Sequence, residues 1–286
     1  ERDILVVPFY VSFDGETYMK EGVELDIREF YQRMVDHPDV FPKTSMPSVD
    51  DYYQVFLPLA KQDVPMICIC ITTKFSGSMQ SAIALPQPLI TQSAATARDM
   101  ILEEYPKARI TVIDAEINTV LQGLYVLEAC RLRDLGWEYD RMVERLLAIR
   151  ESGRIFFTIG NIDYLKHGGR IGKVMGIAGS ALKIKPLITL KEGEIFASGI
   201  ARSREKSMQK VIEMLKAYLD ERTAKPGEYS FAIGYGYDYE EACHFREMLK
   251  DCLEIEEIGI YQIGATIGVH TGPYPIGIGI IKHAVD

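Results

Sequence analysis

Five short runs of this chain gather residue types able to hold an anion. Lys43-Thr44-Ser45-Met46-Pro47-Ser48 sets hydroxyls just ahead of a helical pattern. Such hydroxyls either cap the helix or donate to an anionic group at its positive end. Thr72-Thr73-Lys74-Phe75-Ser76-Gly77-Ser78-Met79-Gln80 follows the most apolar stretch and precedes a helical one. In a doubly wound sheet, ligands collect at that end of the strands. There Gly77 lets a ligand approach the backbone and Ser76 or Ser78 can donate to it; an ordinary turn uses the same residues. Tyr164 to Lys173 carries Gly168-Gly169-Arg170-Ile171-Gly172-Lys173, where Arg170 can grip a carboxylate or phosphate bidentately or lie on the surface beside a helix end. Gly268-Val269-His270-Thr271-Gly272-Pro273 places a histidine between strand-like residues, as a core histidine or as part of a site. Gly179 to Pro186 reads as a helix end leading into a strand.

Several chemistries are excluded by spacing. The Thr72–Gln80 run lacks the G-x-S-x-G nucleophile elbow, and the Gly168–Lys173 run lacks the P-loop pattern. HExxH is absent, and His37, His167, His244 and His283 show no metal-ligand spacing, so no structural metal is expected.

The elements that must position these residues alternate between strand and helix. Strands are expected over Ile4–Phe13, Val64–Thr73 and Arg109–Ile113, and helices after the caps Asp26 and Ser48 and over Asn118–Leu132 and Trp137–Glu151. Asp51 makes a weakened capping box with Ser48, and Pro58 should bend or end that helix. From Arg154 on, a strand, a short helix stopping at Gly168-Gly169, a hairpin around Lys191-Glu192-Gly193-Glu194 and further alternating elements follow. This predicts an α/β protein of two domains, divided near Ser152-Gly153. Residues 1–152 would form a doubly wound, mostly parallel sheet, and residues 153–286 an α/β domain with a mixed sheet. Pro86 and Pro88, between the repeats Gln80-Ser81-Ala82 and Gln92-Ser93-Ala94, predict a flap or insertion in an otherwise helical region.

Composition bounds the partners. The chain has 286 residues, 47% of them hydrophobic, and a net charge of −9. That is enough apolar material for a core and a ligand pocket. The acidic balance argues against general nucleic-acid or membrane-surface binding. No run approaches the ~18 apolar residues that span a bilayer. An odd count of five cysteines, with no CxxC, fits reduced thiols in the cytoplasm. The chain begins without Met, shows no signal pattern and enters an apolar run almost at once, so residues upstream are expected to be missing.

Taken together and in order, Thr44-Ser45-Met46-Pro47-Ser48, Ser76-Gly77-Ser78-Met79-Gln80-Ser81-Ala82, Gly168-Gly169-Arg170-Ile171-Gly172, Ile184-Lys185-Pro186 and His270-Thr271-Gly272-Pro273 resemble the DegV family of bacterial fatty-acid-binding proteins, from about Val6 to Ile281. The resemblance implies a long-chain fatty acid in an internal tunnel, its carboxylate held between two domains. It implies no chemistry by the protein itself and no cofactor besides the bound acid. The partner implied is a separate dihydroxyacetone-kinase-like fatty acid kinase that makes acyl phosphate for phospholipid synthesis. Carried over by motif, Thr44 or Ser45 and Ser76 would contact the carboxylate, within a ligand-binding set that also takes in Gly77 and Thr271. His270 would join or order that network, Arg170 would contribute from the second domain, and Arg202 would face the kinase or its nucleotide phosphates.

The chain departs from the family pattern in places. The opening D-S-x-x-D-L is absent, the Pro86/Pro88 stretch interrupts a helix, Lys replaces the usual Asn near Lys183, and Tyr274-Pro275-Ile276 replaces Gly-Ala-Leu. The competing reading is a hydrolase or phosphate-transferring enzyme built on Ser76 and His270, without a recognisable base–orienter pair.

Overall fold

A computed structural model of the chain describes residues 3–76, 94–174, 184–253, 255 and 257–284. Gly77, the Pro86/Pro88 stretch and most of the Gly179–Pro186 run therefore lie outside the described residues.

Local signals start the first elements. β1 (Tyr10–Ser12) is the centre of a three-stranded antiparallel sheet, between β2 (Met19–Lys20) and β3 (Lys43–Ser45). It is shorter than the apolar run around it: the ladder begins only after Pro8, which has no N–H to give. Asp26 caps α1 (Ile27–Asp36) by accepting from the Glu29 amide. α2 (Val49–Ala60) opens with a complete capping box, Ser48 Oγ accepting from the Asp51 amide while Asp51 accepts from the Ser48 amide. Pro58 sits in its last turn.

β4 (Met66–Cys70) and β5 (Ile110–Asp114) run parallel, Met66 opposite Ile110, with α3 (Ala94–Glu104) before β5. Then come α4 (Thr119–Asp134) and α5 (Tyr139–Arg150). The remaining strands are β6 (Arg154–Thr158), β7 (Lys185–Lys191), β8 (Glu194–Ala201), β9 (Tyr229–Tyr235), β10 (Gly259–Gln262) and β11 (Ile276–Lys282). They form one six-stranded sheet in the order β10-β9-β11-β6-β7-β8, with β10 and β9 parallel and the other pairs antiparallel. The helices among them are α6 (Asp163–His167), α7 (Arg204–Glu221), α8 (Tyr239–Cys252) and α9 (Ala265–Thr271). The expected α/β class and the mixed later sheet are observed. The β7–β8 turn puts Glu192 (φ 52°) and Gly193 (φ 78°) in the left-handed region, the conformation a two-residue hairpin needs.

The large sheet is buried on both faces, and alternation decides which helices cover each. Phe156, Leu187, Phe231, Ile233, Ile278 and Ile280 face a core shared with α7 and α8. Ile155, Ile188, Leu190 and Ala232 face the opposite way, into a core shared with α4 and α5. On that second face β11 offers glycine: a Cβ on Gly279 would meet Leu121 and Val120 of α4 in close contact. The helix can therefore come near the sheet, and Val120 at its start also packs over Gly234.

One expectation is corrected. His270 does not lie between strand residues; it is in α9, which ends at Gly272 in a left-handed conformation (φ 78°). Ile267, Val269 and Gly268 are poor helix formers, so local preference misleads here and tertiary packing decides.

Candidate functional site

A cavity of about 380 Å³ opens where β3, the loop after β4, the start of α4, the large sheet and α9 meet. That size falls in the roughly 300–1,000 Å³ of small-molecule sites. Ile71, Ile155, Phe157, Leu190, Ile195 and Ile263 give it an apolar wall. Thr44, Ser45, Ser76, Arg170, His270 and Thr271 also line it. Six candidate residues spread over more than 220 positions of sequence thus share one cavity.

Each is held by a distinct element. β3 carries Thr44 opposite Val11 of β1. Ser76 closes a loop fixed at both ends: the Thr72 amide donates to the Ile117 carbonyl (3.0 Å), and the Ser76 amide donates to the Thr72 carbonyl (3.3 Å). Thr73 Oγ1 donates to Asp114 at 2.5 Å, joining this loop to the end of β5. Arg170 is exposed and spans two carbonyls, Gly168 (Nη1, 2.7 Å) and Phe75 (Nη2, 3.3 Å). Its positive charge therefore sits at the cavity edge while it pins the Ser76 loop.

His270 Nε2 lies 3.4 Å from Thr44 Oγ1. Burial, and after it the Arg170 charge, lowers its pKa to about 4, so the ring is neutral at pH 7. Its Nδ1 is shut off from solvent without a partner among the described residues. The tautomer with its proton on Nε2 leaves no N–H stranded, and we assign it on that ground. Nε2 then donates toward Thr44 and the cavity. The Gly168 backbone lies directly against Nδ1, where any Cβ would overlap the ring. Thr271 Oγ1 donates to the Ile267 carbonyl (3.0 Å), so its single proton is committed and it can only accept.

Glu21 anchors α9 from outside. Its carboxylate accepts from the Thr266 amide (3.1 Å) and from the Thr266 hydroxyl. Burial raises the Glu21 pKa above its ordinary value, against the lowering effect of those hydrogen bonds.

Arg202 stands apart: it is exposed in the turn between β8 and α7 and is not on the cavity lining. Gly77 lies outside the described residues.

Sequence reading missed the start of α4. Asn118 and Thr119 both line the cavity. Asn118 is the N-cap residue yet makes no side-chain cap bond, and Thr119 has φ 49°. For a β-branched residue that conformation costs on the order of 1–3 kcal/mol. In the sequence Asn118 signalled only a helix start. Among the described residues no group of three or more His, Cys, Asp or Glu could hold a metal ion, and no helix is long and apolar enough to cross a membrane.

The chain is similar to known proteins along almost its whole length. It is 42% identical to the stearic-acid-binding protein of Eubacterium ventriosum, with a TM-score of 0.89 over 99% of this chain and 92% of that one. A fatty-acid-binding DegV family protein of Thermus thermophilus superposes with a TM-score of 0.82 at 26% identity, covering 98% of this chain and 92% of that one. A DegV domain-containing protein of Caldanaerobacter subterraneus is 30% identical over 275 residues, 96% of this chain and 90% of its own. The family model described as "Uncharacterised protein, DegV family COG1307" matches residues 1–283. With a match of that extent, the chain belongs to the DegV family.

Proposed function

We propose that this protein binds a long-chain fatty acid in the cavity and presents its carboxylate to a separate fatty acid kinase, which forms the acyl phosphate. The observation that carries this reading is the gathering of hydroxyl, imidazole and guanidinium groups on one cavity whose remaining lining is mostly apolar. The binding of stearic acid by the Eubacterium ventriosum relative supports the ligand class.

The physics fits such a ligand. Each buried CH₂ contributes about 0.8 kcal/mol, so a chain of ~16 carbons offers about 12 kcal/mol before ordering costs. The head group then needs orientation more than added affinity. Thr44, Ser45 and Ser76 supply neutral donors, His270 Nε2 a further one, and Arg170 charge at the edge. Gly77 would let the carboxylate approach the backbone, and Thr271 would order the network as an acceptor. Residues 1–152 and 153–286 act as the two domains that hold the acid. Arg202, away from the cavity, faces the kinase or its nucleotide phosphates. The protein itself performs no chemistry, needs no cofactor and works in the cytoplasm, where its thiols stay reduced. Support for carriage over hydrolysis comes from His270: a triad base is oriented through its second nitrogen, and Nδ1 has no such partner among the described residues.

Native and denaturing mass spectrometry of the purified protein tests the reading. A non-covalent long-chain fatty acid released on denaturation is the expected result; a lipid-free protein that also fails to take up added fatty acid overturns it. In a coupled assay with the kinase, Ser76→Ala and Thr44→Ala should slow acyl phosphate formation without changing the melting temperature. Arg202→Ala should slow it with lipid retention unaltered. Wild-type throughput in all three variants counts against these assignments.

A further inference from the structure

The polar groups at the start of α4 have no role in the head-group set. Asn118 is only 7% exposed, yet it lines the cavity. Its side chain makes no hydrogen bond among the described residues, not even the cap bond its position invites. Thr119, next to it on the lining, keeps a buried hydroxyl without a partner among the described residues. Unmade hydrogen bonds of this kind are expensive in an apolar wall. Because α4 runs for 16 residues, its first backbone N–H groups bring further donors and a partial positive charge to the same place. A hydrophobic tail alone leaves all of these groups unsatisfied.

We propose that Asn118, supported by Thr119 and the α4 N-terminus, is a second polar subsite that receives a neutral oxygen on the acyl chain. The ligand class is then a long-chain fatty acid bearing a hydroxyl or keto group along its tail. The Asn118 amide both donates and accepts, which matches a hydroxyl. A carboxylate only accepts and would leave the Asn118 carbonyl unmet, whereas a hydroxyl meets both sides of the amide, so the subsite complements the Thr44–Ser76–His270 group rather than duplicating it. This inference rests on the fatty-acid reading above.

Competition binding of stearic acid and a positional series of monohydroxyoctadecanoic acids tests it, on wild-type protein, Asn118→Leu and Asn118→Ala, with melting curves as the folding control. One position in the series should bind the wild type roughly 5- to 50-fold more tightly than its neighbours. Asn118→Leu should erase that preference while stearic acid binds as well as before, or better. A flat series on the wild type, or a preference that survives in a folded variant, overturns the subsite. So does a clear loss of stearic acid binding in a folded Asn118→Leu, which assigns Asn118 to the head group instead. If a variant does not fold, the wild-type series alone decides. Failure of the wild type to bind any C18 acid marks the fatty-acid reading itself as wrong, and the subsite falls with it.

Discussion

His270 is neutral because the fold removes its ring from water faster than any partner compensates. The unfolded chain takes up a proton near pH 6.5, whereas the folded one waits until about 4. Stability from this group is therefore whole above pH 6.5 and is lost as pH falls toward 4, on the order of 3 kcal/mol in total. His270→Gln should flatten that part of the stability–pH curve relative to wild type in urea titrations at several pH values; parallel curves would contradict the assignment. Gly168 belongs to the same scale. Gly168→Ala drives a methyl group into the imidazole, so we expect a loss of about 1–3 kcal/mol and weakened fatty acid binding. Gly169→Ala, at φ 67° but in open space, should cost roughly 1–2 kcal/mol and leave binding intact. Melting curves paired with fatty acid competition separate the two.

At the scale of elements, α9 depends on its neighbours. It has seven residues, too few to be stable alone, and contains β-branched residues and glycine. Glu21 satisfies its first turn through Thr266, and Gly268 allows Phe30 and Tyr31 of α1 to pack against it. Glu21→Ala strands those donors and should cost about 1–3 kcal/mol. Glu21→Gln retains an acceptor and removes a charge that burial disfavours, since the raised carboxyl pKa means that the charged form withholds stability until pH falls through it. Its urea midpoint at pH 7 should stay close to wild type, with Glu21→Ala clearly lower and weaker in fatty acid retention; equal midpoints for the two variants would remove Glu21 from this role.

Over the whole molecule, the loop after β4 is one joint between early and late parts of the chain, in addition to the Glu21–Thr266 anchor of α9. Thr72 Oγ1 donates to the Gly193 carbonyl in the β7–β8 turn (3.1 Å), and Arg170 donates to the Phe75 carbonyl. This joint and the cavity edge share Phe75, Ser76 and Arg170. Thr72→Val leaves the Gly193 carbonyl unmet and should cost roughly 1–3 kcal/mol. Hydrogen exchange should quicken together in residues 72–76 and 191–194, while β9 and β11 keep wild-type protection. Exchange that rises in one segment alone would show that the two are not coupled.

Much of the fold was legible because its signals are local. The Asp26 cap, the Ser48–Asp51 capping box, the stop at Gly168 and the Glu192-Gly193 turn each settle within a few residues, by hydrogen bonds or backbone freedom encoded in adjacent side chains. Alternating apolar runs likewise announced strands whose partners were still unknown. The candidate residues Thr44, Ser76, Arg170 and His270 were readable as types. Their convergence was implied only by the family resemblance, because nothing in a short window says that β3, a loop, a Gly-rich turn and α9 share one cavity. Tertiary structure alone made α9 a helix against its local preference, committed the Thr271 proton to Ile267, and set Asn118 on the cavity wall without its cap bond. The division is physical: periodicity, caps and turns act between neighbours in sequence, whereas burial, desolvation and the satisfaction of distant polar groups exist only once remote segments have packed together.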